Sequence, residues 1–197
     1  MDRAGEQRRP DVQQKRCWWW ILVRRWRVDQ LVFLDETGAN TKMARRYGWG
    51  WKSSRVVDQI PHGHWKTTTF VGAIRSTGLV APTVLDGPMT GEFFLAYVQQ
   101  QLIRTLNPGD VVIMDNLASH KQQGVTDAIH SVGADIMYLP PYSPDFNPIE
   151  LAFSKFKTLL RKFGERTTEA LWKRIGKVIE YFTESECQNY IKHCGYR

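Results

Sequence analysis

Val111-Val112-Ile113-Met114-Asp115-Asn116 is four apolar residues running straight into a carboxylate. A short, continuous, β-branched run bounded by turn formers reads as a strand buried on both faces of a sheet, here residues 110–114. Upstream, Leu31-Val32-Phe33-Leu34-Asp35 repeats the pattern: an apolar run that ends in an aspartate. Strands covered on both faces need helices above and below them. Residues 91–106 supply one, opened by Thr90, with Phe94, Leu95, Val98, Leu102, Ile103 and Leu106 on one face and Asn107-Pro108-Gly109 after it. Residues 121–132, closed by Gly133, read as a second helix, and 135–139 as another strand. Residues 67–74 and 79–85 read as an antiparallel pair turning at Ser76-Thr77-Gly78. Helices follow from Pro148 to about Phe163, stopped by Gly164, and over 168–194. A meander of strands followed by alternating helices and strands makes the class α/β with a mixed sheet.

The 197 residues are enough for one domain with a sizeable core, and 42% hydrophobic with 24% charged residues excludes a disordered chain. Cys17 to Val23 is the most apolar stretch near the N-terminus; at seven residues, bracketed by Lys15, Arg16, Arg24 and Arg25, it is too short to span a bilayer. A soluble, unsecreted protein with no membrane association is expected. Three cysteines without a C-x-x-C pair indicate neither a disulfide framework nor a thiolate zinc site. Residues 1–27 are basic, with Trp18, Trp19, Trp20 and Trp26, and differ in composition from everything after them. They are expected to be a partly disordered or helical N-terminal segment, ahead of a domain spanning 28–197. The net charge of +7 is uneven: +6 over residues 1–60, −4 over 61–150 and +5 over 151–197. Central carboxylates holding cations, with flanking Lys and Arg on a polyanion, would have this arrangement; so would an unevenly charged solvated surface.

Three carboxylates are candidates for chemistry. Asp35 and Asp115 each stand at a strand end, where a buried charge is costly without compensation; strand-end turn residues are the plainer reading of either alone. Glu150 lies in Asn147-Pro148-Ile149-Glu150, where Asn147 suits an N-cap, Pro148 the first helical position, and Glu150 a capping box. On that helix Lys157 and Arg161 fall within about 20° of Glu150, apart from the apolar stripe of Phe153, Phe156, Leu160 and Phe163. A phosphate backbone could follow such a track, and a solvated face is the alternative. His120 is placed to touch a phosphate near Asp115. Arg45 and Arg46, with Trp49, Trp51 and Lys52, form either a DNA-gripping patch or a hairpin packed on the core. His62 and His64 read as surface or packing residues. Glu36 should point away from Asp35, and Asp145 should organise its loop.

Phe33-Leu34-Asp35-Glu36-Thr37-Gly38, Val112-Ile113-Met114-Asp115-Asn116 with Ser119-His120-Lys121, and Leu139-Pro140-Pro141-Tyr142-Ser143-Pro144-Asp145-Phe146-Asn147-Pro148-Ile149-Glu150 resemble the DDE transposases of the mariner-like superfamily, especially its bacterial insertion-sequence branch. The 34 residues between Asp115 and Glu150 match the spacing of that superfamily. The resemblance runs from about Leu31 to Tyr196. It implies a ribonuclease H-like mixed five-stranded sheet, its first three strands antiparallel, flanked by helices. It also implies that Asp35, Asp115 and Glu150 are catalytic and hold two Mg²⁺ or Mn²⁺ ions, with Asp35 between them. Hard cations of this kind suit carboxylate oxygens and in-line displacement at phosphorus. DNA at transposon ends and at the target would be the substrate: water attacks at the ends, and the freed 3′-hydroxyl then attacks target DNA. Lys157, Arg161, His120, Arg45 and Arg46 would touch DNA.

Complete members of that superfamily carry an N-terminal helix-turn-helix region, for which the roughly 30 residues before the first strand leave no room. The resemblance therefore implies a catalytic part working as a homodimer, its recognition module on a separate polypeptide or reading frame, in the cytoplasm of a bacterium at the nucleoid. The alternative is a catalytically idle remnant acting only as a non-specific basic DNA-binding domain.

Overall fold

A computed structural model describes residues 3–45, 47–57, 62 and 64–197. Among these the strands are β1 (Leu31–Asn40), β2 (Thr67–Arg75), β3 (Gly78–Asp86), β4 (Val111–Met114) and β5 (Asp135–Tyr138). The helices are α1 (Arg3–Gln7), α2 (Pro10–Val23), α3 (Gly91–Gln100), α4 (Gln123–His130), α5 (Ile149–Phe163), α6 (Thr168–Ile179) and α7 (Glu184–His193). The strands form one five-stranded sheet in the order β3-β2-β1-β4-β5. β1 is antiparallel to β2, and β2 to β3, while β1, β4 and β5 are parallel.

The period of two along β1 and β4 divides the core into two layers. Leu31, Phe33, Val111 and Ile113 face the layer formed with α5, α6 and α7, where Phe70 stacks on Phe156 with ring centroids 4.6 Å apart. Val32, Leu34, Val112 and Met114 face α3 and α4. The same alternation carried past the apolar run of β1 puts Asp35 on the α5 side and Glu36 on the α3 side.

Several boundaries differ from the sequence expectation. β1 does not stop at Asp35 but continues to Asn40, because β2 keeps pairing with it through Asn40↔Thr67 after β4 has left its other edge at Phe33↔Ile113. Glu-Thr-Gly-Ala-Asn, which resembles a turn, is thus held in a strand by its neighbour. The expected helix over 91–106 ends at Gln100, where Gln101 departs from helical geometry, and a 3₁₀ turn over Leu102–Thr105 keeps Leu102 buried. The helix expected over 121–132 is shorter, α4 being preceded by a 3₁₀ turn over Ala118–Lys121. The last region is two helices, the second restarted by Thr183, whose hydroxyl accepts from the Glu186 N–H. Gly164 ends α5 in the left-handed conformation (φ 63°), which glycine adopts without a Cβ penalty.

The N-terminal segment packs on this core. Val12, Trp19 and Val23 of α2 are buried, and the Trp19 indole N–H donates to the Tyr196 hydroxyl, which in turn donates to the Phe146 carbonyl at 2.6 Å. Among the described residues, no helix is long and apolar enough to cross a membrane.

Candidate active site

Asp35, Asp115 and Glu150 line one cavity of about 740 Å³, together with Asn116, Asn147 and the proline-rich loop from Leu139 to Pro144. Each arrives by a different route. Asp35 stands in β1 just beyond the last residue paired to β4, where the sheet opens on one side. Asp115 follows the last residue of β4, and Glu150 lies in the first turn of α5, exposed. Gly72 of β2 pairs opposite Asp35, and the β2–β3 register shifts there between Val71 and Ala73, a bulge of the kind found beside functional sites.

The pocket is electrostatically unfavourable for an ionised Asp35. Burial, followed by the nearby charges of Glu36, Asp115 and Glu150, pushes the Asp35 carboxyl up to about 7, against the lowering effect of the Glu36 N–H that donates to its Oδ1 at 2.8 Å. A cation in the pocket would relieve both burial and repulsion, and three carboxylates are the oxygen-donor set that Mg²⁺ or Mn²⁺ prefers. Among the described residues no three His, Cys, Asp or Glu side chains are already gathered at coordinating distance.

Two partners hold the aspartates meanwhile. Asn147, 3% exposed, donates its Nδ2 hydrogen to Asp35 Oδ2 at 2.9 Å, leaving its own Oδ1 buried without a hydrogen bond. The expected N-cap and capping box are therefore not formed: Asn147 makes no side-chain bond to the α5 backbone. His120 lies with Nδ1 2.8 Å from Asp115 Oδ1 and Nε2 3.3 Å from Glu36 Oε2, stacked on Phe94 with centroids 4.3 Å apart. These are ion-pair separations without in-line hydrogen-bond geometry. Burial disfavours the imidazolium, but Asp115 and Glu36 outweigh it and raise His120 to about 9. His120 is fully buried. Its side chain presents no surface to solvent and lies against Asp115 and Glu36.

Lys157 and Arg161 line a second cavity of about 630 Å³ with Lys42, Arg45 and Trp65, where the Lys42 ammonium sits 4.7 Å from the Trp65 ring centroid. The exposed face of α5 and the chain leaving β1 thus form a basic groove on the helix that carries Glu150. Arg46 lies outside the described residues. Trp49 and Trp51 are fully exposed, so neither packs on the core as a hairpin would. His62 and His64 are exposed as well.

No local pattern marks the role of Asn147, because its position also satisfies the N-cap pattern. The clasp of His120 between Asp115 and Glu36 needs the opposite-face rule for Glu36 together with a loop path that no periodicity specifies.

The family model for DDE superfamily endonuclease matches residues 30–171. Among solved structures, a pre-cleavage Mos1 transpososome superposes with a TM-score of 0.73 at 13% identity, over 93% of this chain and 58% of the other. The mariner Mos1 paired-end complex with Mg gives 0.68 at 15% identity over 93% and 58%. The catalytic domain of Mos1 mariner transposase gives 0.64 at 14% identity, over 93% and 87%. The chain thus spans under two thirds of the fuller Mos1 structures and most of the isolated catalytic domain. A search of curated proteins found no match. The ribonuclease H-like sheet, shared with structures of such distant sequence, is matched by a family model covering most of the chain, with all three acidic residues inside its span: the chain belongs to the DDE superfamily endonucleases.

Proposed function

We propose that this chain is the catalytic part of a mariner-like transposase, of the bacterial insertion-sequence branch, cutting DNA and joining the 3′-hydroxyl ends to a target. The observation that carries the reading is the convergence of Asp35, Asp115 and Glu150 on one cavity in which Asp35 is raised to about 7 by burial and by its acidic neighbours. That is a site short of positive charge, and two Mg²⁺ or Mn²⁺ ions would supply it. Bound there, such ions stabilise the charge on attacking and leaving oxygens.

The residues divide the remaining work. Asp35 reaches the pocket from the centre of the sheet and, with Asp115 and Glu150, would supply the carboxylate oxygens that hold the ions. Asn147 and His120 fix the aspartates from behind. In each step an oxygen nucleophile, first water and then a DNA 3′-hydroxyl, attacks phosphorus while the P–O bond opposite breaks. Lys157, Arg161 and Arg45 hold the phosphate backbone beyond the cut. Residues 28–197 would be the catalytic domain and 1–27 an appendage packed on it. The complete machine would be a homodimer bringing two DNA ends together, and it would work in the cytoplasm at the nucleoid. One matched structure is a Mos1 transposase paired-end complex with left transposon end, which supports DNA ends as partners.

A nicking assay on supercoiled plasmid with Mg²⁺ or Mn²⁺ tests this reading, run on the chain alone and fused to an upstream helix-turn-helix module. Metal-dependent nicks with 3′-hydroxyl ends that join a second duplex support it. Salt-sensitive DNA binding with no cut product in either form would support an idle DNA-binding remnant instead.

A further inference from the structure

We propose that Asn147 is a positioning residue for the reaction: its amide sets the Asp35 carboxylate in the orientation that receives the divalent ion. The proposal rests on the carboxylate-site reading above and adds a residue to it. Asn147 meets Asp35 across 112 positions of sequence, by a 2.9 Å bond from Nδ2 to Oδ2. Facing a carboxylate, an amide must present its NH₂, so the orientation of the Asn147 group is fixed by what it serves. Asp35 Oδ1 already accepts from the Glu36 N–H. With Asn147 on Oδ2 the carboxylate is held at both oxygens and cannot rotate, and each oxygen keeps a lone pair for the pocket.

This arrangement does not serve folding. The same side chain, one residue before Pro148 at the start of α5, could cap the helix and satisfy an orphan backbone N–H. It makes no such bond, and it leaves its own Oδ1 buried and unpaired. A cap forgone and a buried acceptor left unmatched are both local losses of stability, accepted at the residue that links the Glu150-bearing helix to Asp35. Asn147 also lines both the carboxylate cavity and its smaller neighbour beside His193, so it forms the wall between them. Partners that orient metal ligands from behind carry a large share of ion affinity, about 10- to 100-fold for each residue removed.

The test is Mn²⁺ binding by calorimetry and by the loss of the free-ion paramagnetic signal, on the full chain, with melting curves in chelator. Asn147→Leu keeps side-chain size and removes the donor. It is expected to melt within a few degrees of wild type without metal and to bind Mn²⁺ about 10-fold or more weakly. Asn147→Ser, which keeps a short donor, should fall between the two and stands in should the leucine variant not fold. Asn147→Asp should lower the metal-free melting temperature through repulsion with Asp35 and regain it with Mn²⁺. Wild-type Mn²⁺ affinity in both the leucine and serine variants overturns the inference. If wild type binds Mn²⁺ and Asp35→Asn does not, that result concerns Asn147 alone. If wild type and Asp35→Asn both fail to bind, the carboxylate-site reading falls with it.

Discussion

Arg16 grips Asp145 with both terminal nitrogens across 129 positions, Nη2 to Oδ2 at 2.6 Å and Nη1 to Oδ1 at 3.0 Å. The same guanidinium donates to Ser143 Oγ at 2.8 Å and lies 3.9 Å from the Phe146 ring centroid, while Gln7 donates to the Tyr142 carbonyl at 2.7 Å. Helices α1 and α2 thus hold the loop that leads directly into Asn147 and Glu150. Arg16→Ala should cost about 1 kcal/mol, the pair being partly exposed. It should reduce cleavage by more than that loss of folded protein explains. Denaturant melts read beside nicking rates check it; a cleavage rate equal to wild type would mean the loop needs no such support. Arg16 holds the Asp145 carboxyl below its ordinary value, so this contribution is present above the unfolded pKa and is lost as pH falls through the lowered folded one.

The metal-free protein should lose stability as pH rises. Asp35 is raised from 3.8 to about 7 and His120 from 6.5 to about 9. A raised folded pKa stabilises fully below the unfolded value and ceases to as pH passes the folded one. Both groups therefore act in the same direction, Asp35 between pH 3.8 and 7 and His120 between 6.5 and 9. Excess Mg²⁺ should raise the melting temperature more at about pH 8 than at about pH 5, where protons compete for Asp35. Melts in chelator and in Mg²⁺ at both pH values measure this; an Mg²⁺ effect that does not grow with pH would contradict it.

Arg75 and Asp110 form a buried two-pronged ion pair, at 3.0 and 3.2 Å, in which Arg75 also donates to the carbonyls of Thr105 and Asp29. Asp110→Ala strands a buried guanidinium and should cost about 3–5 kcal/mol. Asp110 precedes β4 at the end opposite Asp115, so the damage is to folding, with Mn²⁺ affinity of the folded fraction preserved. Denaturant titration with Mn²⁺ calorimetry separates the two.

The basic groove makes a salt-dependent statement. Lys157→Ala, Arg161→Ala and Arg45→Ala should each weaken DNA binding uniformly across sequences and reduce the slope of log affinity against log salt by about 1. Fluorescence anisotropy on duplexes of unrelated sequence measures this. An unchanged slope in all three variants would move the phosphate track elsewhere.

Much of the sheet was legible because its signals are local. Val111 to Met114 and Leu31 to Leu34 are apolar on both faces, and the parity of β1 then places Asp35 on one side and Glu36 on the other. The continuation of β1 through Thr37-Gly38-Ala39 was not legible, since only pairing with β2 holds those residues extended. Nor was the docking of α2. Its inward residues Val12, Arg16, Trp19 and Val23 recur at helical spacing, but the surrounding Trp18, Ile21 and Leu22 are apolar too and exposed, so the stripe is hidden in the sequence. The role of Asn147 was not legible for a related reason: a cap residue and a carboxylate partner call for the same side chain, and tertiary contact alone decides between them.

The most direct measurement is metal-dependent strand cleavage by Asp35→Asn, Asp115→Asn and Glu150→Gln, each compared with wild type in melting temperature and in Mn²⁺ affinity. All three substitutions keep side-chain size and remove one charge from the pocket. The expected result is loss of detectable nicking and weakened Mn²⁺ binding in every variant, with the fold retained. Wild-type cleavage in any one of the three would contradict the assignment of these carboxylates to a shared catalytic site.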